Sequence, residues 1–247
     1  MEFVFILSVQ FAKGIECLKN KHNDILWVKL DQGFFNLEKE IFLAVVYISP
    51  ANSTNNIPDM VSVYSHLLDD IENYSPFSDI MIQGDFNAYT NTHADFVLND
   101  EVDHCNLDDV HYKYDNILPR NNLDHKRTNN SSKMLLEICK ESSLRIINGR
   151  TTGDLYGKHT CITYNGCSVV DYTIVSQEWL KCISIFQVDK FTALSNHCPI
   201  VCSLCAHCNY YMLGKPDGLN IMLSKQKGIC NFRLRPSVEE NLQTCAR

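Results

Sequence analysis

The sequence predicts an α/β fold, a two-sheet β-sandwich flanked by helices, and three observations predict it. Short β-rich runs outnumber helix-period segments, and the two kinds alternate with no internal repeat. The strings able to carry chemistry fall at strand ends. The chain has 247 residues, 45% of them hydrophobic and 21% charged, with 10 Gly and 7 Pro. That composition suffices for a substantial core and excludes collagen-like, coiled-coil and wholly disordered chains.

The elements follow in order. Residues 3–9 are apolar but lack a basic flank and a small-residue cleavage site, and fall short of the ~20 residues of a membrane span. They are expected to form a short buried strand. Residues 25–30 (ILWVKL) and 41–48 (IFLAVVYI) are strands joined through Asp31-Gln32-Gly33. Pro58 opens a helix in which Met60, Val63, Tyr64, Leu67, Leu68, Ile71 and Tyr74 recur at three and four. Residues 79–83 (DIMIQ) form a buried strand that stops at Gly84.

Residues 90–128, rich in Asn, Asp and His, are expected to be a long surface loop. A helix spans 131–142, and strands follow at 144–147, 160–164, 169–175, 183–188 and 200–204. The expected division is a domain over 1–204 and a tail of uncertain structure over 205–247.

Lys and Arg number 22 against 29 Asp and Glu, a net charge of −7. A protein that coats DNA by charge alone is basic, so that class is excluded. An acidic enzyme can still meet a phosphate across a bound cation. The 12 cysteines, without a secretory signal, predict reduced thiols and favour a nuclear or cytoplasmic setting over a secreted one. One cluster, His197, Cys198, Cys202, Cys205, His207 and Cys208, has metal-ligand residue types but no distant partner pair. Buried small hydrophobes running into a ragged tail are the better account of it.

Three strings stand out as sites. In Gln83-Gly84-Asp85-Phe86-Asn87 the glycine allows a sharp turn, and a carboxylate and a carboxamide project two positions apart. That pair can hold a water with Asp85 and a phosphate oxygen with Asn87; an Asx turn is the structural alternative. In residues 169–175 (VVDYTIV), Asp171 interrupts an apolar strand and either faces solvent or pairs with a cation. In residues 194–200 (LSNHCPI), His197 stands at the mouth of a final strand.

Taken in order, Tyr47-x-x-Pro50, Gly84-Asp85-x-Asn87, the Asp171-Tyr172 strand and Ser195-x-His197-x-Pro199 resemble the endonuclease/exonuclease/phosphatase superfamily, which includes DNase I, the apurinic endonucleases and inositol phosphatases. Residues 148–177 and 195–200 look most like the endonuclease domain of LINE-type, non-LTR retrotransposons. The likeness spans roughly residues 14–204. It implies a four-layer α/β/β/α sandwich and Mg²⁺-dependent (or Mn²⁺-dependent) hydrolysis of a DNA phosphodiester. By that likeness Asp85 orients the attacking water, Asn87 and His197 hold the phosphate, Asp171 orients His197, Tyr47 contacts phosphate and Ser195 lies at the substrate. No membrane and no obligate protein partner is implied.

Two departures weaken the implied chemistry. The family opens with a strand bearing an Asn and a later strand bearing a metal-binding Glu. This chain aligns after both, so an N-terminal truncation with missing opening strands is expected; neither Glu2 nor Glu16 sits in the required context. Asn196 stands where the family carries an acid on the metal side, which leaves a degenerate, neutral metal position. Weakened metal binding and weak or absent activity follow, since losing one catalytic group commonly costs ~10² to 10⁴ in rate. The alternatives are a non-catalytic retroelement remnant with no selected activity and a phosphatase-type relative.

Overall fold

Two apolar runs, Ile25–Leu30 (β2) and Glu40–Tyr47 (β3), pair antiparallel and bury both faces. Near-continuous hydrophobicity, rather than strict alternation, is what a strand covered on both sides requires. The computed structural model describes residues 11–19, 21–50, 57–98, 115, 117–205 and 229–233. The strand expected at 3–9 lies outside them.

Asp31 turns the chain between β2 and β3 by accepting the Phe34 N–H at 2.6 Å, which caps a one-turn helix, Gln32–Phe35 (α1). Asn36 ends α1 in the left-handed region, at φ 54°. Asn tolerates that conformation, so the polar join holds a helical turn that hydrophobic periodicity does not reveal.

After β3 come Ile57–Tyr74 (α2) and Ser78–Asp85 (β4), then Asn130–Glu141 (α3) and Leu144–Ile146 (β5). A hairpin, Cys161–Thr163 (β6) and Gly166–Ser168 (β7), precedes Asp171–Ser176 (β8). Ile183–Val188 (β9) and Ile200–Cys205 (β10) follow. Ile15–Cys17 (β1) edges the main sheet, whose order runs from β1 through β2, β3, β4 and β8 to β5. Among the described strands only β3 and β4 are parallel, and α2 makes the crossover between them. A second sheet has β10 between β9 and Ile229–Arg233 (β11). Residues expected to be tail therefore supply a strand that pairs with β10.

Alternation along each strand separates two cores. Trp27, Ala44, Val46, Ile80, Ile82, Tyr172 and Ile174 face α2 and α3, meeting Val63, Tyr64, Leu67, Ile71, Leu135 and Ile138. Leu30, Leu43, Met81 and Val175 face the second sheet and meet Phe186, Ile200, Cys202 and Leu204. The two-sheet sandwich with flanking helices is thus present as helix pair, six-stranded sheet and three-stranded sheet. A helical layer over the outer face of the smaller sheet is not among the described residues.

Cys202 sits fully in the inter-sheet core, so it serves there as a small apolar side chain. The side chains of Cys205, His207 and Cys208 lie outside the described residues. The stretch expected to be a surface loop, 90–128, sends Thr90, Asp95, Arg120, Asn122 and Asp124 into the interior. Its polarity marks buried hydrogen bonding as much as exposure.

Gly84 corrects a sequence expectation. It does not turn the chain: β4 runs through it to Asp85, and a Cβ there would strike the backbone carbonyl of Val46 on β3. Close approach of two central strands is the requirement. Gly84→Ala is expected to destabilise the fold by about 3 kcal/mol, measured by urea unfolding. A change below 0.5 kcal/mol would show that β3 and β4 are spaced more widely.

Candidate active site

The register of β4 against β8 builds the site. Ile82 pairs with Ile174 and Gly84 with Tyr172, which places Asp85 directly opposite Asp171. On the other side of β4, Tyr47 at the end of β3 pairs with Asp85. Three functional side chains thus come from neighbouring strands at one end of the sheet, on the face turned toward the second sheet. Side chains opposite one another in an antiparallel pair have Cβ atoms ~5 Å apart.

His197 arrives from the turn before β10. Its backbone forms a bridge with Cys161, and the bonds Ile162 N–H to Asn196 O (2.8 Å) and Cys198 N–H to Thr160 O (2.6 Å) tie the turn to the hairpin. Ser195 Oγ accepts the His197 N–H at 3.1 Å, shaping the turn. The imidazole Nδ1 lies 2.9 and 3.1 Å from the two Asp171 oxygens. A carboxylate only accepts, so Nδ1 carries the hydrogen and Nε2 is left facing the site. Nε2 stands 3.9 Å from Asp85 Oδ2 and 3.7 Å from Cys161 Sγ.

Burial, with the Asp171 charge second, pushes the Asp85 carboxyl up to about 7. The hydrogen bond that His197 donates to Asp171 raises the imidazole above its ordinary value, with burial opposing. Tyr47 is also raised, by burial first and then by the Asp85 charge. A carboxyl poised near neutrality beside a stabilised imidazolium is a pair suited to moving a proton.

Asn87, expected to hold the phosphate, is bonded within the protein. Its backbone adopts the left-handed region, at φ 45°. That fold-back lets Asp85 Oδ1 accept the Asn87 N–H at 3.0 Å. The Asn87 amide nitrogen donates to Asp85 Oδ2 at 3.2 Å and to Ile48 O at 2.8 Å. Both amide hydrogens are thereby used, so Asn87 orients Asp85 rather than presenting a free donor to a phosphate. The Asx-turn alternative is the one present in this residue.

Asn196, expected to be a degenerate metal position, is exposed. Asp85, Asp171 and His197 form the group able to hold a metal ion, with ligand atoms within 4.8 Å of one another. Two facing carboxylates, one of them starved of positive charge, fit a hard divalent cation. Asp171 would share its oxygens between that ion and His197.

Several supporting residues carry no motif. Thr160 Oγ1 accepts the N–H groups of Val170 and Asp171, both at 3.0 Å, and Asn148 Nδ2 donates to Asp171 O at 3.1 Å. Asn129 caps α3 through Ser132 N–H and donates to Asn87 O at 2.7 Å. An Asn two to three residues before a helical period is a legible cap signal, and it leads to Asn129. Thr160 and Asn148 have no comparable local signature.

The fold is similar to solved structures. The endonuclease domain of TRAS1, a telomere-specific non-LTR retrotransposon, matches at 17% identity over 76% of this chain and 66% of that one, with a TM-score of 0.48. A 3′-5′ exonuclease (NExo) from Neisseria meningitidis matches at 9% identity over 75% and 68%, with a TM-score of 0.49. A NExo 3′ phosphatase variant bound to a product DNA hairpin matches at 10% identity over 75% and 68%, with a TM-score of 0.48. This chain spans just under two thirds of the TRAS1 domain. No family model matches the sequence, and the search of curated proteins finds no match.

The titrations have a consequence for stability. Asp85 rises from 3.8 to about 7, so the folded chain holds a proton there that the unfolded chain releases. Stability is therefore lost as pH rises between those values. His197 acts in the same direction: its contribution is present below 6.5 and lost as pH climbs through its raised value. In metal-free buffer, Asp85→Asn is expected to raise the thermal midpoint at pH 8, with the gain vanishing below pH 4. Scanning fluorimetry from pH 4 to 9 reads this; a gain independent of pH would contradict the raised carboxyl.

Proposed function

We propose that this chain is a divalent-metal phosphodiesterase of endonuclease type, derived from a retroelement and acting slowly on DNA. The supporting observation is the convergence of Asp85, Asp171 and His197 from β4, β8 and the turn before β10. When bound, a Mg²⁺ or Mn²⁺ ion held by Asp85 and Asp171 supplies positive charge against the phosphate oxygens. His197, kept protonated by Asp171, donates its Nε2–H to a non-bridging oxygen of the scissile phosphate. Asp85, aligned by Asn87, accepts a proton from the attacking water at Oδ2. The water oxygen bonds to phosphorus as the P–O bond to the leaving group breaks, and solvent protonates the departing oxygen. The Tyr47 hydroxyl lies on the neighbouring strand and offers a further donor to the phosphate.

The slowness has two supports. Among the described residues no Glu joins the metal group, and one of its two carboxylates already binds an imidazole through both oxygens. Asn196 adds no charge. Magnesium, which dehydrates reluctantly, is held weakly by so few anionic ligands. The saturated Asn87 amide favours a second reading, a non-catalytic remnant with no selected activity.

Relaxation of supercoiled plasmid separates the two. Wild type is expected to nick near background in Mg²⁺ and measurably in Mn²⁺, with His197→Ala lowering the Mn²⁺ rate ~10² or more. Equal nicking by wild type and His197→Ala would leave the remnant standing. Asn196→Asp alone is expected to change the rate less than tenfold, because a single carboxylate does not complete the cage; full activity in that variant would show that another acid supplies the remaining ligand.

A further inference from the structure

A second concentration of buried charge lies beside the free edge of β5, on residues the candidate active site does not use. The Arg145 side chain is 0% exposed, that of Arg150 is 2% exposed, and Arg120 is 5% exposed as a residue. Arg145 spends its two terminal nitrogens on Asp95 O, Leu144 O, the Gln177 amide oxygen and an ion pair with Asp115 at 2.6 Å. Arg150 Nη2 pairs with Asp95 Oδ1 at 2.7 Å. Among the described residues, Arg120 reaches only the carbonyl of His93, at 3.3 Å. The remaining acceptors of the two acids are taken: Asp95 Oδ2 binds the Ile146 N–H at 2.8 Å, and Asp115 Oδ2 binds the Val97 N–H at 2.6 Å.

The donor account does not close. Nε and Nη1 of Arg120, Nε and Nη1 of Arg150, and Nε of Arg145 are buried with no hydrogen-bond partner among the described residues. Among the described residues, three guanidinium groups face two carboxylates, and Arg120 forms no ion pair. Arginine does not deprotonate to escape burial. A buried charge without an ion pair costs several kcal/mol; burial is the largest penalty on Arg120, the Asp95 charge offsets part of it, and the like charge on Arg150 adds to it. Water could fill the donor sites but brings no negative charge.

We propose that a small oxyanion of the phosphate or sulfate class binds between Arg120 and Arg150, accepting from their Nε and Nη1 groups. Each arginine offers three N–H bonds there, a supply matched to the several oxygens of a tetrahedral anion. Burial of all three arginines excludes a nucleic-acid backbone and favours a compact, slowly exchanging ion. Its role is to neutralise the cluster that holds residues 90–98 and 120 against β5.

The full chain, exchanged into an anion-poor buffer, tests this with inorganic phosphate, sulfate and chloride at equal ionic strength. Phosphate or sulfate at a hundredfold excess over its Kd is expected to raise the thermal midpoint by about 5 °C over chloride. The rise is expected to persist in His197→Ala, which places it outside the candidate active site, and to vanish in Arg120→Gln. Ion chromatography of freshly purified, then denatured wild type is expected to release about one phosphate or sulfate per chain, a readout that needs no variant. No anion-specific rise together with no released anion overturns the proposal, as does a rise given by a DNA oligonucleotide but not by inorganic phosphate.

Discussion

The pairing of β4 with β8 is the constraint on which the site depends. Their register sets Asp85 against Asp171, and apolar neighbours fix that register: Ile82 and Ile174 face the helices while Met81 and Val175 face the second sheet. A slip of one residue would turn every one of these side chains to the wrong layer. The carboxylates are therefore held side by side by the packing of two cores, not by attraction to each other. Their mutual repulsion is a cost that the hydrophobic layers carry.

That cost is what gives the site its chemistry. A carboxyl raised by burial and by a like neighbour is ready to take a proton or a cation, and a histidine locked by Asp171 presents one nitrogen to the same space. Asn87 holds the Asp85 carboxylate through a two-residue turn, His197 holds that of Asp171, and Thr160 fixes the Asp171 backbone. Sites of this kind lower the stability of the empty protein, and rigidity around them lets the strain persist.

Much of this was legible in the chain. Strands 25–30 and 183–188 match their runs of β-formers, and the helix over Ile57–Tyr74 follows its three-and-four pattern, because burial on one face imposes those periods. Asp85, Asp171 and His197 drew notice as polar groups at apolar strand ends. Their proximity was not written locally, since 86 residues separate the two aspartates and only cross-strand register unites them. Gly84 was misjudged for a related reason: the close approach of β3 is a tertiary fact, as is the bond from Asn87 to Ile48 O. The interior role of Arg120 and Asp95 was hidden because a polar stretch reads as surface unless its partners are known.

Titration of the metal-free chain with Mn²⁺, followed by electron paramagnetic resonance, addresses the central claim most directly. One Mn²⁺ per chain is predicted, with its affinity lowered at least tenfold in Asp85→Asn and in Asp171→Asn alike. Binding of equal strength in the double variant would contradict the account, because the facing pair of carboxylates would then not be what holds the ion.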